Sequence, residues 1–283
     1  MDRETRCEAI VNYLLANGGR ARVSELATQL SVSRMTVLRD IQTLLEQGKV
    51  KKGYGEVRLE RPVLTLPLPD SINREIAEKR AIGYAASQLV TNGDAIFIGG
   101  GTTTLQMIPF LAQRDQRPRI VATHSLLHAI MLYNLFSGTE TRVVIIGGDA
   151  IETNGTLVGP LANHALQMIK VDKAFIGADG VDLETGVTEA STVVAETSRA
   201  ALRVARERVL LVTSTKFNKS RHGYVASLGD INIIITDERV PTSLVQRLRA
   251  MGVKIIIARQ ESLTQGTTAK QGGEKGGQIL NHM

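Results

Sequence analysis

The alternation of short apolar segments with longer amphipathic segments between residues 73 and 258 limits the fold of this chain more than any other feature. Apolar strands of this kind are typically covered on both faces, and intervening helices supply the crossovers that parallel strands need. The pattern therefore predicts an α/β domain with a Rossmann-like, mainly parallel sheet. We expect strands at 95–98, 120–122, 142–146, 173–176, 209–212, 231–236 and 253–258, and helices at 73–91, 103–113, 126–134, 157–169, 189–207 and 242–251.

Polar or glycine-rich loops follow the first five predicted strands. Ligands of open α/β sheets bind outside the carboxyl ends of the strands, so we expect these loops to converge on one binding edge. The loops read GGGTTT from Gly99, THS from Thr123, GGD from Gly147, GADGVD from Gly177 and TSTKF from Thr213.

The loop that begins at Gly99 runs directly into a predicted helix. Its glycines let the backbone approach an anion, and the helix start adds unpaired N–H groups and the positive end of the helix dipole. We therefore predict that a phosphate or carboxylate binds here. A plain glycine-rich turn is the alternative, because a run of this kind alone is weak evidence.

Two charged side chains in the later loops complete the predicted effector site. Lys216 would pair with an anion, and Asp179 would accept hydrogen bonds from sugar hydroxyls. The alternatives are a surface lysine and an Asx turn that helps the loop to bend. The predicted effector-binding residues are Gly100, Gly101, Thr102, Thr103, Thr104, Thr123, His124, Ser125, Gly148, Asp179, Gly180 and Lys216.

A separate pattern at residues 22–48 predicts two helices, 24–30 and 34–47, joined by a tight turn at 31–33. Ser33 is a good N-cap for the second helix. The apolar side of that helix carries Val37, Ile41, Leu44 and Leu45. Its opposite side carries Met35, Thr36, Arg39 and Thr43. Such a helix suits a DNA major groove, although an ordinary helical hairpin has the same spacing.

The segments on either side favour the DNA-binding interpretation. A third amphipathic helix precedes the pair, with Cys7, Ile10, Val11, Leu14 and Leu15 on one face. A short β-hairpin follows at 50–59, and its two lysines could rest on phosphates as a wing. The predicted DNA-binding residues are Ser33, Arg34, Met35, Thr36, Arg39, Lys51 and Lys52.

Residues 3–59 resemble the winged helix-turn-helix of the DeoR family of bacterial transcriptional repressors. The resemblance rests on VSELATQLSVS and TVLRDI. The sequence departs from the family at Leu38, which replaces the first of two arginines, and at residues 54–56, where a Gly-Gly-Ala wing tip is common. Arg39 keeps the second arginine, so the resemblance implies that it contacts DNA.

The loops of the α/β domain also resemble the DeoR-family sensor domain, so the likeness covers residues 3–258. It is carried by the Gly-Thr-Thr, THS, Gly-Gly, FIGADG and STKF loops. His124 replaces an asparagine that is common in the family. The resemblance implies a fold similar to ribose-5-phosphate isomerase and an effector that is a phosphorylated sugar or a related metabolite.

The chain of 283 residues is long enough for two domains. We expect a DNA-binding domain at 1–59, a linker at 60–72 that contains Pro62, Pro67 and Pro69, an effector-binding domain at 73–260 and a disordered tail at 261–283. The net charge of +6 favours an anionic partner. An aromatic content of 4% without Trp argues against stacking on single-stranded nucleic acid.

Several classes of protein are disfavoured by what the sequence lacks. It has one cysteine, so no disulfide can form within the chain, and no apolar run reaches the roughly 18 residues of a membrane span. The charged N-terminus does not look like a signal peptide, so we expect a cytoplasmic protein. His124 and His128 stand four residues apart, but one such pair is insufficient for a metal site, and we assign no metal and no cofactor.

We therefore predict a repressor of a carbohydrate-utilisation operon that binds double-stranded operator DNA as a homo-oligomer, either a dimer or a tetramer, and is not an enzyme. One alternative is a sugar-phosphate isomerase fused to a DNA-binding module, with Glu152 as the nearest candidate base. Another is a DNA-binding scaffold with a vestigial pocket.

Overall fold

The computed structural model describes residues 2–16, 19–53, 55–59, 71–151 and 153–260, which form two compact units on either side of the predicted linker. Linker residues 60–70, the predicted tail and Glu152 lie outside the described residues. The predicted domain limits therefore stay a prediction.

The N-terminal unit contains three helices and a small antiparallel sheet. Its elements are α1 (Arg3–Ala16), β1 (Arg20–Arg22), α2 (Val23–Gln29), α3 (Arg34–Glu46), β2 (Val50–Lys52) and β3 (Glu56–Leu59). The strands are ordered β1-β3-β2, so the predicted hairpin is joined by a third strand that we did not predict. This arrangement confirms the predicted winged helix-turn-helix.

The turn between α2 and α3 is fixed by backbone geometry and by a side-chain cap. Ser31 has a φ of +53°, in the left-handed region, which reverses the chain direction. Ser33 then caps α3, because its hydroxyl accepts a hydrogen bond from the Thr36 N–H at 3.1 Å. The predicted apolar side of α3 lies in the core through Val37, Ile41 and Leu44. The other side of the helix is consequently left for solvent.

The C-terminal unit is a seven-stranded sheet flanked by helices. Its elements are α4 (Ile76–Ser87), β4 (Ala95–Ile98), α5 (Thr102–Leu105), α6 (Ile108–Ala112), β5 (Ile120–Thr123), α7 (Leu126–Phe136), β6 (Arg142–Ile145), β7 (Asp149–Ala150), β8 (Leu157–Val158), α8 (Pro160–Gln167), β9 (Val171–Ile176), β10 (Gly180–Asp182), β11 (Gly186–Glu189), α9 (Thr192–Arg203), β12 (Ala205–Leu211), β13 (Gly223–Ala226), β14 (Ile233–Asp237), α10 (Thr242–Ala250) and β15 (Lys254–Ala258).

All six strand pairs of the main sheet are parallel, and the order is β15-β14-β12-β9-β4-β5-β6. The sheet divides the core in two. Side chains of α8, α9 and α10 pack on one face with Phe97, while those of α4, α6 and α7 pack on the other with Ile96, Ile98 and Phe175. The predicted parallel α/β architecture is confirmed, and the carboxyl ends of all seven strands lie along one edge.

The single helix predicted at 189–207 is wrong. Residues Gly186–Glu189 form β11, the helix occupies only Thr192–Arg203, and β12 begins at Ala205. Ser191 stops any earlier helix by capping α9, accepting from the Val194 N–H at 3.5 Å. The first half of β12 is charged, so its sequence looks helical, but it pairs in register with β9. Tertiary pairing therefore overrides the local pattern.

Two other predicted helices also differ from the structure. Residues Leu157–Val158 are a strand paired with Asp149–Ala150, and α8 starts only after Gly159, whose φ is +92°. The helix predicted at 103–113 is two short helices, α5 and α6. A second small antiparallel sheet, β10-β11-β13, was not predicted.

Candidate functional site

The first candidate site is the exposed side of α3 together with the adjacent hairpin. Ser33, Arg34, Met35 and Arg39 are exposed, with Met35 60% accessible, and Thr36 is half-buried. Lys51 and Lys52 on β2 are exposed as well. The structure thus brings all seven predicted DNA-binding residues to the surface of one small unit.

A buried carboxylate on the core side of α3 binds this helix to α1. Asp40 is only 1% exposed, and Arg6 of α1 binds both of its oxygens, with Nε 2.8 Å from Oδ2 and Nη2 3.1 Å from Oδ1. Asp40 also contacts Cys7 of α1, whose thiol is 3.7 Å from the Asp40 backbone carbonyl oxygen. This two-point ion pair fixes the orientation of α3 against α1. Asp40 is part of the TVLRDI motif, but we did not predict its structural role.

Arg3 adds a positive charge beside the exposed side of α3. Its guanidinium donates to the backbone carbonyl of Arg39 at 3.2 Å and to the hydroxyl of Thr43. The side chain is 59% exposed, so it remains accessible to solvent. No local pattern predicts this role of Arg3, because its contacts are with residues about 40 positions away.

The second candidate site is the carboxyl edge of the main sheet, where β5 and β9 lie on opposite sides of the central β4. The loop after β4 starts close to β9, because the Gly99 N–H donates to the Phe175 carbonyl at 2.8 Å. A Cβ atom on Gly100 would lie 2.9 Å from the Thr156 hydroxyl and 3.2 Å from Ser125 Cβ. Glycine is therefore required where the loops after β4 and β5 meet.

The residues around the glycine loop differ sharply in accessibility. Gly100, Gly101, Thr102 and Thr103 are half-buried at the edge of the sheet. The other predicted effector residues of the first two loops are all at most 2% exposed: Thr104, Thr123, His124 and Ser125. Only the first group presents polar atoms at the surface.

The hydroxyls of Thr104 and Ser125 are linked through His128. Thr104 donates to the carbonyls of Gly99 and Gly101 at 2.7 and 2.9 Å, so its oxygen can only accept from His128 Nε2 at 3.3 Å. His128 Nδ1 then accepts from the Ser125 hydroxyl at 2.7 Å. This chain requires a neutral imidazole, and burial lowers the pKa of His128 to about 3. His128 thereby joins the two loops.

His124 occupies an apolar setting behind the same loops. Its ring stacks on Phe97 with centroids 5.3 Å apart, and neither ring nitrogen has a hydrogen-bond partner among the described residues. Burial lowers its pKa to about 4. The imidazole is therefore uncharged near neutral pH and unfavourable to protonate in the folded protein.

Lys216 and Asp179, predicted from different loops, form an ion pair with Nζ 3.3 Å from Oδ1. Asp179 also accepts from the Ala190 N–H at 3.1 Å and is hydrogen-bonded to the Glu189 carboxyl. Burial alone would raise the pKa of Asp179, but the bonds from Glu189, Ala190 and Lys216 outweigh it and hold that pKa below its usual value. Burial and the neighbouring Asp179 charge raise the pKa of Glu189 well above its usual value. Glu189 is not among the predicted site residues, because the sequence predicts a helix from 189 whereas the residue ends β11.

Gly148 and Gly180 have packing roles in the described structure. A Cβ on Gly148 would lie 2.6 Å from the Val158 carbonyl oxygen, and one on Gly180 would lie 2.4 Å from the Lys219 carbonyl oxygen. Both glycines therefore allow two stretches of backbone to come close together at this edge.

Glu75, at the start of α4, is bound to the loop that carries Lys216. Its Oε2 accepts from the hydroxyls of Thr213 and Thr215, both at 3.0 Å, and its Oε1 pairs with Arg239 Nη2 at 3.1 Å. The residue has a φ of +53°. These contacts connect the carboxyl edge of the sheet to the first residues after the predicted linker, and no local sequence pattern predicts them.

Buried Lys79 adds a charge near this connection. Its ammonium group donates to the Ser71 carbonyl, and burial lowers its pKa. Nearby Lys216 lowers it further, while Glu75 raises it. Lys79 therefore lies near both the Glu75 carboxylate and the Lys216 ammonium group.

Comparisons with known proteins cover both units. Residues 6–62 match a model of the DeoR-like helix-turn-helix domain, and residues 74–238 match a model of the DeoR C-terminal sensor domain. None of the helices in the described part of the chain has the length and apolar character needed to cross a membrane.

Curated relatives match along most of their length. The chain is 28% identical over 254 residues to the HTH-type transcriptional repressor CsqR of Escherichia coli, covering 88% of this chain and 94% of that protein. It is 28% identical over 243 residues to the lactose phosphotransferase system repressor of Staphylococcus epidermidis, covering 84% and 93%. Among solved structures, ribose 5-phosphate isomerase A of Methanocaldococcus jannaschii matches with 22% identity and a TM-score of 0.36, covering 49% of this chain and 53% of that one.

Proposed function

This chain belongs to the DeoR family of transcriptional regulators, and from that premise we propose that it represses a carbohydrate-utilisation operon in response to a phosphorylated sugar or related metabolite. The observation that carries the proposal is the Lys216–Asp179 ion pair, which lies at the same carboxyl edge of the sheet as the half-buried glycine loop of the sensor domain. The name of the lactose phosphotransferase system repressor supports the carbohydrate assignment. Such a regulator would act in the cytoplasm, as a homo-oligomer on double-stranded operator DNA.

On the DNA, α3 would enter the major groove while the hairpin contacts the backbone. Arg39 is the strongest candidate for reading a base, because a guanidinium can bond to two acceptors of guanine at once. Ser33, Arg34, Met35 and Thr36 would lie at the entry of the helix into the groove. Lys51 and Lys52 would contact phosphates, which position the protein without reading sequence.

In the sensor domain, the phosphate would bind at the backbone N–H groups of Gly100–Thr103, where the loop approaches β9 and β5. The hydroxyls of Thr104 and Ser125 donate within the protein, so we assign them, with Thr123 and His124, to shaping the loops. Gly148 and Gly180 would help by close backbone packing. The anion would therefore be recognised mainly by main-chain donors.

The Asp179, Glu189 and Lys216 side chains would bind the remainder of the effector. A sugar hydroxyl can donate to Asp179, while another oxygen of the effector would compete with Asp179 for Lys216. Such competition changes the position of Lys216, whose loop is bound to Glu75. The effector would thereby act on the segment next to the linker, as coupling between two sites requires.

We propose that the chain is a sensor and not an enzyme. Its relatives are transcriptional regulators, and the candidate base of the isomerase alternative, Glu152, lies outside the described residues. Incubation with ribose 5-phosphate would show product formation if the alternative were correct.

The direct test is a thermal-shift screen with phosphorylated sugars on the wild type, Lys216→Ala and the control Lys170→Ala. Lys170 is an exposed lysine outside the proposed site. A ligand at about 100 times its Kd stabilises the folded state by about 2.7 kcal/mol. We expect a shift for the wild type and Lys170→Ala and its loss in Lys216→Ala. Equal shifts in all three proteins would remove Lys216 from the site, and no shift with any sugar phosphate would refute the proposed effector class.

A further inference from the structure

Strand β6 is the last strand of the main sheet, and no other described strand lies along its outer side. The N–H groups of Arg142 and Ile146 donate inward, to the carbonyls of Arg119 and Thr123 at 2.9 and 2.8 Å. In a parallel pair, alternate residues direct both backbone groups to the same neighbour. The N–H and C=O groups of Val143 and Ile145 must therefore point away from the sheet.

The surface beside this outward row is apolar. Ile145 is 53% exposed, and two residues of α7, Ile130 and Tyr133, are 41% and 65% exposed. Helix α7 contacts β6 and has no Asp, Glu, Lys or Arg in its sequence, LLHAIMLYNLF. A helix that is apolar on all sides is normally covered on all sides. Among the described residues of the C-terminal unit, none covers the exposed Ile130 and Tyr133 side chains on the outer side of α7.

Edge strands are usually protected from pairing by charged residues, prolines or bulges. The two residues of β6 with outward backbone groups, Val143 and Ile145, carry none of these. The strand's one charged residue, Arg142, is at its first position, and its backbone faces β5. The edge is consequently open to another strand.

We propose that β6 pairs antiparallel with β6 of a second copy of this chain, about a two-fold axis, and that this contact also covers the exposed side of α7. A two-fold axis reverses the strand direction, so two identical edges meet as an antiparallel pair. Each outward N–H then faces a carbonyl of the partner. Because α7 has no charged residue, two copies meet there without like-charge repulsion.

Segments of the same chain are poorer occupants of this edge. The sequence at 60–70 contains three prolines, which lack the N–H that pairing requires, and the sequence at 261–283 is mostly polar. Pairing of two copies through β6 does not depend on whether the sensor domain binds the proposed effector.

The other exposed apolar side chains supply a matched control. Leu161 on α8 and Met168 directly after it are 72% and 76% exposed. Other residues of α8, Asn163 and Gln167, line a polar groove together with Glu196, Arg199 and Arg203. Helix α8 has no outward row of strand N–H and C=O groups. Met168→Lys therefore places the same new charge on an exposed apolar position without touching the β6 edge.

The test measures the mass of the full-length protein by sedimentation over a range of concentrations. We expect Ile145→Lys to raise the dimer dissociation constant at least about tenfold or to halve the mass of a larger assembly, while Met168→Lys stays like the wild type. Far-UV circular dichroism checks that both variants are folded; Ile145 is exposed in the single chain, so its replacement should not disturb the core.

Hydrogen exchange gives an independent readout of the same contact. The outward backbone amides of residues 143 and 145 should be protected in the wild-type oligomer and exchange faster in Ile145→Lys, whereas the amides of residues 142 and 146, which donate to β5, should stay protected in both. A monomeric wild type, an unchanged mass for Ile145→Lys, or dissociation caused by Met168→Lys would each overturn the proposal. So would equal protection of the outward amides in wild type and variant, because it would mean that the chain covers its own edge.

Discussion

Arg39 is exposed on α3 while its backbone carbonyl accepts from Arg3, so removing its side chain should leave the helix in place. We expect Arg39→Ala to weaken operator binding by about 1–3 kcal/mol, the usual cost of losing an arginine that reads a base. Fluorescence anisotropy with labelled operator DNA measures this change.

Arg247→Ala is the control for Arg39→Ala, because it removes an exposed arginine from α10 in the other unit. The thermal shift caused by the effector should be the same in both variants. Operator affinity of Arg39→Ala equal to that of the wild type would contradict the assignment of α3 as the recognition helix.

Acid should destabilise the fold through His124. Burial lowers the pKa of this residue from 6.5 to about 4, so the unfolded chain binds the proton more tightly. The resulting stability is fully present above pH 6.5 and is lost as the pH falls from 6.5 towards 4. His124→Phe keeps a ring against Phe97 and removes the titration. Between pH 8 and pH 5, we expect the free energy of unfolding of the wild type to fall by about 2 kcal/mol more than that of His124→Phe.

Urea unfolding at pH 5 and pH 8 measures this difference. The control is His164→Phe, which replaces an exposed histidine of α8 and should leave the pH dependence unchanged. If wild type and His124→Phe lost stability in parallel on acidification, His124 would not be the buried neutral group described above.

Residue types at the binding edge could be predicted from sequence, but their hydrogen-bond partners could not. Lys216 and Asp179 were found because each follows an apolar strand. Glu189 and Glu75 were missed because their roles depend on contacts across the fold; Glu75 and Thr213 are 138 residues apart. For the same reason the sequence could not reveal that Thr104 and Ser125 already donate their protons to neighbours.

At the scale of elements, the buried Asp40 carboxylate of α3 joins α1 through ion pairs with Arg6 and Arg3, in addition to the apolar contacts between the two helices. Asp40→Ala leaves the Arg6 guanidinium, which is 16% exposed, without its carboxylate. Removing the carboxylate of such a pair is destabilising, because the remaining positive charge loses the group that compensates it. We expect the N-terminal unit to unfold at lower temperature and operator binding to weaken, as followed by calorimetry and anisotropy.

Glu46→Ala is the control for Asp40→Ala, since it removes an exposed carboxylate at the end of the same helix. The unfolding of the C-terminal unit should be unaffected by either change. A stability of Asp40→Ala close to that of Glu46→Ala would show that the ion pair contributes little.

Buried, uniformly apolar strands such as β4 were the easiest elements to predict, because every residue faces a core. Strand β12 was predicted only from Val209, since its earlier residues Arg206, Glu207 and Arg208 are polar and extend beyond the double-sided core. The short strands β7, β10, β11 and β13 have only two to four residues each, which is too few for a clear alternating pattern. The pairing of β11 with β13 also joins segments that are far apart in the sequence.

At the scale of the whole molecule, Glu75 is the candidate for coupling the effector edge to the linker. We expect Glu75→Gln to bind the effector with near-normal affinity, because Lys216 and Asp179 remain. The effect of the effector on operator affinity, typically 5–150-fold in coupled systems, should fall towards onefold. Operator titrations with and without effector give this ratio.

Glu238→Gln is the matched control. It neutralises the exposed Glu238 carboxylate, which lies next to Asp237 and takes part in no proposed contact. The ratio of operator affinities with and without effector should be the same in this variant as in the wild type. A wild-type ratio in Glu75→Gln would mean that the signal reaches the linker by another route.

The two halves of the proposed effector site differ in how easily mutation can alter them. Gly100–Thr103 would hold the anion by peptide groups, which every amino acid shares, so few single substitutions could change that half without breaking the loop. The half formed by Asp179, Glu189 and Lys216 consists of side chains and is free to vary. Evolution of a new inducer within this scaffold should therefore keep the charged end of the molecule and exchange the rest.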